Sequence, residues 1–93
     1  MSGMLVVVYL ADRTQRLAYD RALREAGHVV RLASRPAELA KAVSDGRVTL
    51  LVHDDASPVD EAIRSRVATI TLHHDTTTGA LVEQVRAISS VQP

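Results

Sequence analysis

Four short apolar runs alternate along this chain with segments of helical spacing, and no other feature restricts the fold as much. The runs are Met4-Leu5-Val6-Val7-Val8-Tyr9-Leu10, His28-Val29-Val30-Arg31-Leu32-Ala33, Val48-Thr49-Leu50-Leu51-Val52-His53 and Val67-Ala68-Thr69-Ile70-Thr71-Leu72. The first is continuous and rich in β-branched residues, as expected of a strand covered on both faces in a parallel sheet. The order reads βαβαβαβα with short connections. It predicts an α/β domain with a flavodoxin-like parallel sheet of four strands, right-handed crossovers and helices on both faces.

The intervening segments carry helix signals. Asp12 stands where an N-cap belongs, and Ala18, Ala22, Leu23 and Ala26 recur at helical spacing before Gly27, a residue suited to the left-handed C-terminal position. Ser34-Arg35-Pro36 opens a second helix with Leu39, Ala42 and Val43 inward, and Gly46 closes it. Between Pro58 and Arg66 there is room for a short helix with Val59, Ala62 and Ile63 inward. Thr76, Thr77 or Thr78 caps a last helix whose stripe is Leu81, Val82, Val85 and Ile88. Residues 89–93 read as a polar tail that frays. Residues 1–93 are thus expected to be one domain, without repeats or linkers.

Composition removes several function classes. Apolar residues make up 46% of the chain, enough for a core. Phe and Trp are absent, so platforms for stacking bases are not expected. Eleven Lys and Arg balance eleven Asp and Glu, which leaves no net field for nucleic acid or anionic membrane. The first apolar run is too short to span a bilayer and lacks the flanks of a signal peptide. With no cysteine, neither disulfides nor a thiolate metal site is available, and a reducing cytoplasm suits such a chain.

In parallel sheets of this kind, function sits at the carboxyl ends of the strands. The residues to weigh are therefore those near Leu10 to Asp12, His53 to Ser57 and Leu72 to Thr76. His53, His73 and His74, with Asp54 and Asp75, raise the possibility of a metal- or ligand-binding edge. Neighbours on a strand point to opposite faces, however, so His53 and Asp54 do not readily share an ion. No enzyme chemistry is expected. Ser57 lacks a nucleophile elbow, and Leu10-Ala11-Asp12-Arg13 stands where a dinucleotide site needs a glycine-rich turn. Arg13, Arg16, Arg21 and Arg24 form either a basic stripe for an acidic partner or, preferably, a solvated face paired with Asp20 and Glu25.

Two segments carry a family resemblance. Arg21-Ala22-Leu23-Arg24-Glu25-Ala26-Gly27 with the following strand, and Leu50-Leu51-Val52-His53-Asp54-Asp55-Ala56-Ser57-Pro58, resemble the bacterial response-regulator receiver (CheY-like) domain. In that family an aspartate ending the third strand accepts a phosphoryl group, with a proline four residues later. Asp54 and Pro58 have this spacing, which makes Asp54 the candidate phosphoacceptor. From Leu72 to Ile88 the chain is similar to the family's final strand and helix. The resemblance therefore implies a receiver shortened by about one strand–helix unit.

The family's switch chemistry is incomplete in this sequence. Its Mg²⁺-holding acidic pair falls on Leu10 and Ala11, leaving only the adjacent Asp12; its lysine falls on His74; its threonine belongs to the missing unit. Phosphoryl transfer needs its developing charge countered by metal and cation. Asp12 and Asp54 are the candidate Mg²⁺ ligands, a weak set for a hard ion that relies on carboxylates. Asp12 and His74 are the candidate supporting residues. The resulting expectation is a stand-alone, cytoplasmic pseudo-receiver in two-component signalling. It would act by protein binding, independently of phosphorylation, with Mg²⁺ the one cofactor to weigh. The alternatives are a phosphoaccepting single-domain response regulator using Asp54, and a small metal- or ligand-binding domain. The resemblance also implies an interface on the last helix, at Leu81, Val82, Val85 and Ile88, and the missing unit would leave sheet edge or apolar surface uncovered, which favours a homodimer.

Overall fold

A computed structural model describes residues 5–44, 47–73 and 75–91, the last three through their backbone. Eight elements alternate along it: β1 (Leu5–Tyr9), α1 (Arg13–Glu25), β2 (Val29–Ala33), α2 (Pro36–Ser44), β3 (Leu50–Asp54), α3 (Glu61–Arg64), β4 (Ala68–Leu72) and α4 (Thr78–Val91). The strands form one parallel sheet in the order β2-β1-β3-β4, so the expected α/β architecture stands. Met4, Gly46 and His74, which carried a strand start, a helix stop and a site role, lie outside the described residues.

Strand alternation divides the core in two. Val6, Val8, Leu10, Leu50, Val52, Ile70 and Leu72 point to one face, where α1 and α4 supply Tyr19, Leu23, Leu81 and Val85. Val7, Tyr9, Ala33 and Leu51 point to the other, under Leu39, Ala42 and Val43 of α2 and the half-buried Ile63 of α3. Each fully buried aliphatic side chain contributes about 1.5–3 kcal/mol, which is how so short a chain without Phe or Trp stabilises its core. Val82 and Ile88 pack half-buried at the margin of the first layer.

Local chemistry accounts for the helix boundaries. Asp12 caps α1, its Oδ1 accepting from the Gln15 N–H at 3.1 Å. At the other end Gly27 takes φ 97°, while the Gly27 and His28 N–H groups donate to the Arg24 and Leu23 carbonyls. A residue with a Cβ would be strained in that conformation. The Ser34 N–H and hydroxyl both donate to Glu38 and hold its carboxyl below the usual value of 4.5. Thr77, of the three candidates, caps α4 through its hydroxyl, which accepts from the Ala80 N–H.

Several expectations need correction. The buried residues of α1 are Tyr19 and Leu23, whereas Ala18 and Ala26 are exposed. The large side chains one turn apart set the helix phase, because they bury more area than alanines do. Of the four residues expected at an interface, Leu81 and Val85 are completely buried in the chain's own core. They cannot meet a partner while the domain is folded. The last helix also continues to Val91, past the point where a frayed tail was expected at residue 89. Two of the four arginines of α1 follow the paired reading: Arg24 contacts Asp20 at 2.6 Å and Arg21 contacts Glu25 at 3.3 Å. Among the described residues no helix is long and apolar enough to cross a membrane.

Candidate functional site

The carboxyl ends of β1, β3 and β4 meet at one rim of the sheet, and three loops there are tied together. The loop after β3 turns back through the Ser57 N–H to the Asp54 carbonyl at 3.0 Å. That turn buries the Ser57 hydroxyl, which accepts from the Ala11 N–H at 3.1 Å in the loop after β1. On α1, the Tyr19 hydroxyl donates to the Thr76 carbonyl at 2.6 Å in the loop after β4. The Arg16 guanidinium donates to the Leu10 and Ala11 carbonyls at 2.8 and 3.3 Å.

Asp54 ends β3 opposite Leu72 and follows the alternation of Leu50 and Val52, so its side chain belongs to the α1/α4 layer. It lines an open cavity of about 240 Å³ with Gln15, Tyr19, Asp55, Ala56, Leu72 and His73. The Asp54 Oδ1 is buried and accepts no hydrogen bond among the described residues. A carboxylate oxygen in that position is costly, and most buried polar atoms are paired. Burial, and then the Asp54 negative charge, pushes the Tyr19 phenol above its ordinary value of 10.0. The cavity is thus acidic in character, and no Lys or Arg is among the described residues that line it.

The residues expected to support Asp54 are placed differently. Asp12 is exposed, commits Oδ1 to its cap, and is not among the residues lining the cavity. Leu10 is buried in the core, where an acid would find no solvent. No group of three His, Asp or Glu side chains comes together to hold a metal ion among the described residues.

His53 faces the opposite layer, as strand alternation requires. It is buried, with Nδ1 at 3.1 and 3.0 Å from the Asp54 and Ser57 carbonyl oxygens and Nε2 at 3.2 Å from the Thr71 hydroxyl. Two carbonyl neighbours require a proton on Nδ1, so in the neutral ring the Thr71 hydroxyl donates to Nε2. Both ring nitrogens are occupied in holding β3 to its loop and to β4. His53 therefore does not join His73 in a metal-binding edge.

Sequence reasoning did not anticipate Tyr19 or Gln15 as cavity residues. The spacing of Tyr19 and Leu23, four apart on one helical face, was the available signal, but the alanines at similar spacing obscured it.

No family model and no curated protein sequence matches this chain. Among solved structures it is similar to the crystal structure of a response regulator from Thermotoga maritima, with a TM-score of 0.70 and 18% sequence identity. The match covers 95% of this chain and 98% of that one. The fold is accordingly that of a response-regulator receiver, with four parallel strands.

Proposed function

We propose that this chain is a receiver-like signalling module that acts by contact with another protein, without phosphorylation of Asp54. The observation that carries the reading is the state of the cavity around Asp54. Phosphorylation would add a doubly charged group beside Asp54 and Asp55, where the described lining residues offer no Lys or Arg. Catalysed phosphoryl transfer relies on such countercharge. The fold is retained while the switch chemistry is not, which suits a module whose output is its surface. A bacterial cytoplasm is the compartment this reading implies.

One observation favours a second reading, in which Asp54 does accept a phosphoryl group. Its Oδ1 has no hydrogen-bond partner among the described residues, and its cavity is open. Intact-mass spectrometry after incubation with acetyl phosphate and Mg²⁺, with Asp54→Ala as control, separates the two. No phosphate adduct on the folded protein is the expected result. An adduct lost in Asp54→Ala would overturn the proposal in favour of the second reading.

A further inference from the structure

The two edges of the sheet differ, and the difference points to self-association. At the β2 edge, α1 and α2 both pack closely on the strand. The Arg24 guanidinium donates to the Val30 carbonyl at 3.0 Å, and β2 carries the charged Arg31 within it. These features blunt an edge against further pairing. The β4 edge has helix cover on the Ile70 and Leu72 face alone, where α4 packs, and none of the charged features. Its sequence, Ala68-Thr69-Ile70-Thr71-Leu72, contains no charge and no proline, and its register against β3 is regular throughout. Among the described residues no side chain bonds to the backbone of β4. On the face that carries Thr69 and Thr71 the neighbouring helix is α3, four residues long with none buried.

We propose that β4 pairs with β4 of a second copy in antiparallel fashion, making one continuous eight-stranded sheet across a two-fold axis. This rests on the protein-contact reading above and names the partner as another copy of this chain. The register follows from the five-residue strand: Ile70 lies opposite its equivalent, Thr69 opposite Thr71, and Ala68 opposite Leu72. Side chains that face each other in an antiparallel pair lie on the same face, so the threonines meet on the α3 side, where Thr–Thr pairs are favourable.

The flanking groove argues for a second copy over any other occupant. A cavity of about 360 Å³ beside β4 is lined by Thr69 and Thr71 with Glu61 and Arg64 of α3. Both charged residues are exposed. A patch that holds one acid and one base matches its own two-fold image, since Glu61 of each copy can meet Arg64 of the other. An apolar strand flanked by one sign of charge would have suited a different protein instead.

Sedimentation velocity over a range of concentrations tests the proposal on the whole chain. The wild-type protein should pass from the 10.1 kDa species to one of twice that mass as concentration rises. Thr69→Lys, which puts a charge on the edge, should weaken self-association roughly tenfold or more. Glu61→Arg should act in the same direction, and Glu61→Arg/Arg64→Glu should restore pairing. Both α3 residues are exposed, so these variants keep the test open if Thr69→Lys fails to fold. Val29→Lys on the opposite edge should change nothing.

A monomer at every concentration would overturn the proposal, as it would if the edge is kept for an extended segment of another protein. So would a dimer indifferent to both Thr69→Lys and Glu61→Arg. Neither result touches the reading of Asp54, which the acetyl phosphate experiment decides by a change in mass of the single chain.

Discussion

The buried hydroxyl of Ser57 accepts a hydrogen bond from the backbone N–H of Ala11 at 3.1 Å, across 46 positions of sequence. This contact joins the loops after β1 and β3, the two segments on either side of the sheet rim where Asp54 stands. It depends on the Ser57 N–H first closing a turn onto the Asp54 carbonyl. Ser57→Ala should therefore lower stability by about 1–2 kcal/mol, since it leaves the Ala11 N–H without its partner. Urea denaturation gives the magnitude, and faster hydrogen exchange at the Ala11 amide would locate it. Unchanged exchange there would show that the contact does not hold the loops.

The ring of His53 is expected to be the Nδ1–H tautomer, because Nδ1 faces two carbonyl oxygens and Nε2 faces the Thr71 hydroxyl. Nitrogen-resolved NMR of the imidazole should show this pattern. Thr71→Val removes the donor to Nε2 and should cost about 1 kcal/mol. Zinc should produce no heat with the wild-type protein on titration; a binding isotherm that Thr71→Val strengthens would mean that the ring is available to a metal after all.

Tyr19 links the cavity to alkaline pH. The phenol is uncharged when protonated, and its folded value lies above 10.0 through burial first and the Asp54 charge second. Its contribution to stability is present below the unfolded value and is lost as pH rises through the folded one. Asp54→Asn removes the second cause only, so phenolate absorbance of Tyr19 should appear at lower pH in that variant, though still above the ordinary value. A titration that does not move would mean that Asp54 and Tyr19 do not sense one another.

Leu81→Ala separates a core residue from an interface residue. With this α4 side chain fully buried in the α1/α4 layer, the substitution should destabilise the fold by about 2–5 kcal/mol. Val82→Ala, at the half-buried margin, should cost clearly less. Thermal or urea unfolding ranks the two, and equal losses would contradict the layer assignment.

Strand and helix order is legible in the amino-acid sequence because it is written in near-neighbour patterns. Four apolar runs, the Asp12 cap and the Gly27 stop each involve residues within a turn or two of one another, where backbone sterics and hydrogen bonding decide the outcome. Strand alternation likewise requires that His53 and Asp54 point apart. The segment from His53 to Ser57 could be picked for weighing because a parallel sheet brings its strand ends to one rim, and the receiver resemblance singled out Asp54 within it.

Other features are settled only where distant segments meet. The reach of Tyr19 to Thr76 spans 57 positions, and the His53–Thr71 contact requires β4 to lie directly beside β3. Whether Asp12 serves the cap or the cavity is open in the sequence, since an acid at a strand end suits both. The fold commits its Oδ1 to Gln15. Leu81 and Val85 have the spacing of residues available to a partner, yet the α1/α4 layer closes over them. In each case the same residue type is compatible with several neighbours, and only the packing of the complete sheet and its helices selects among them.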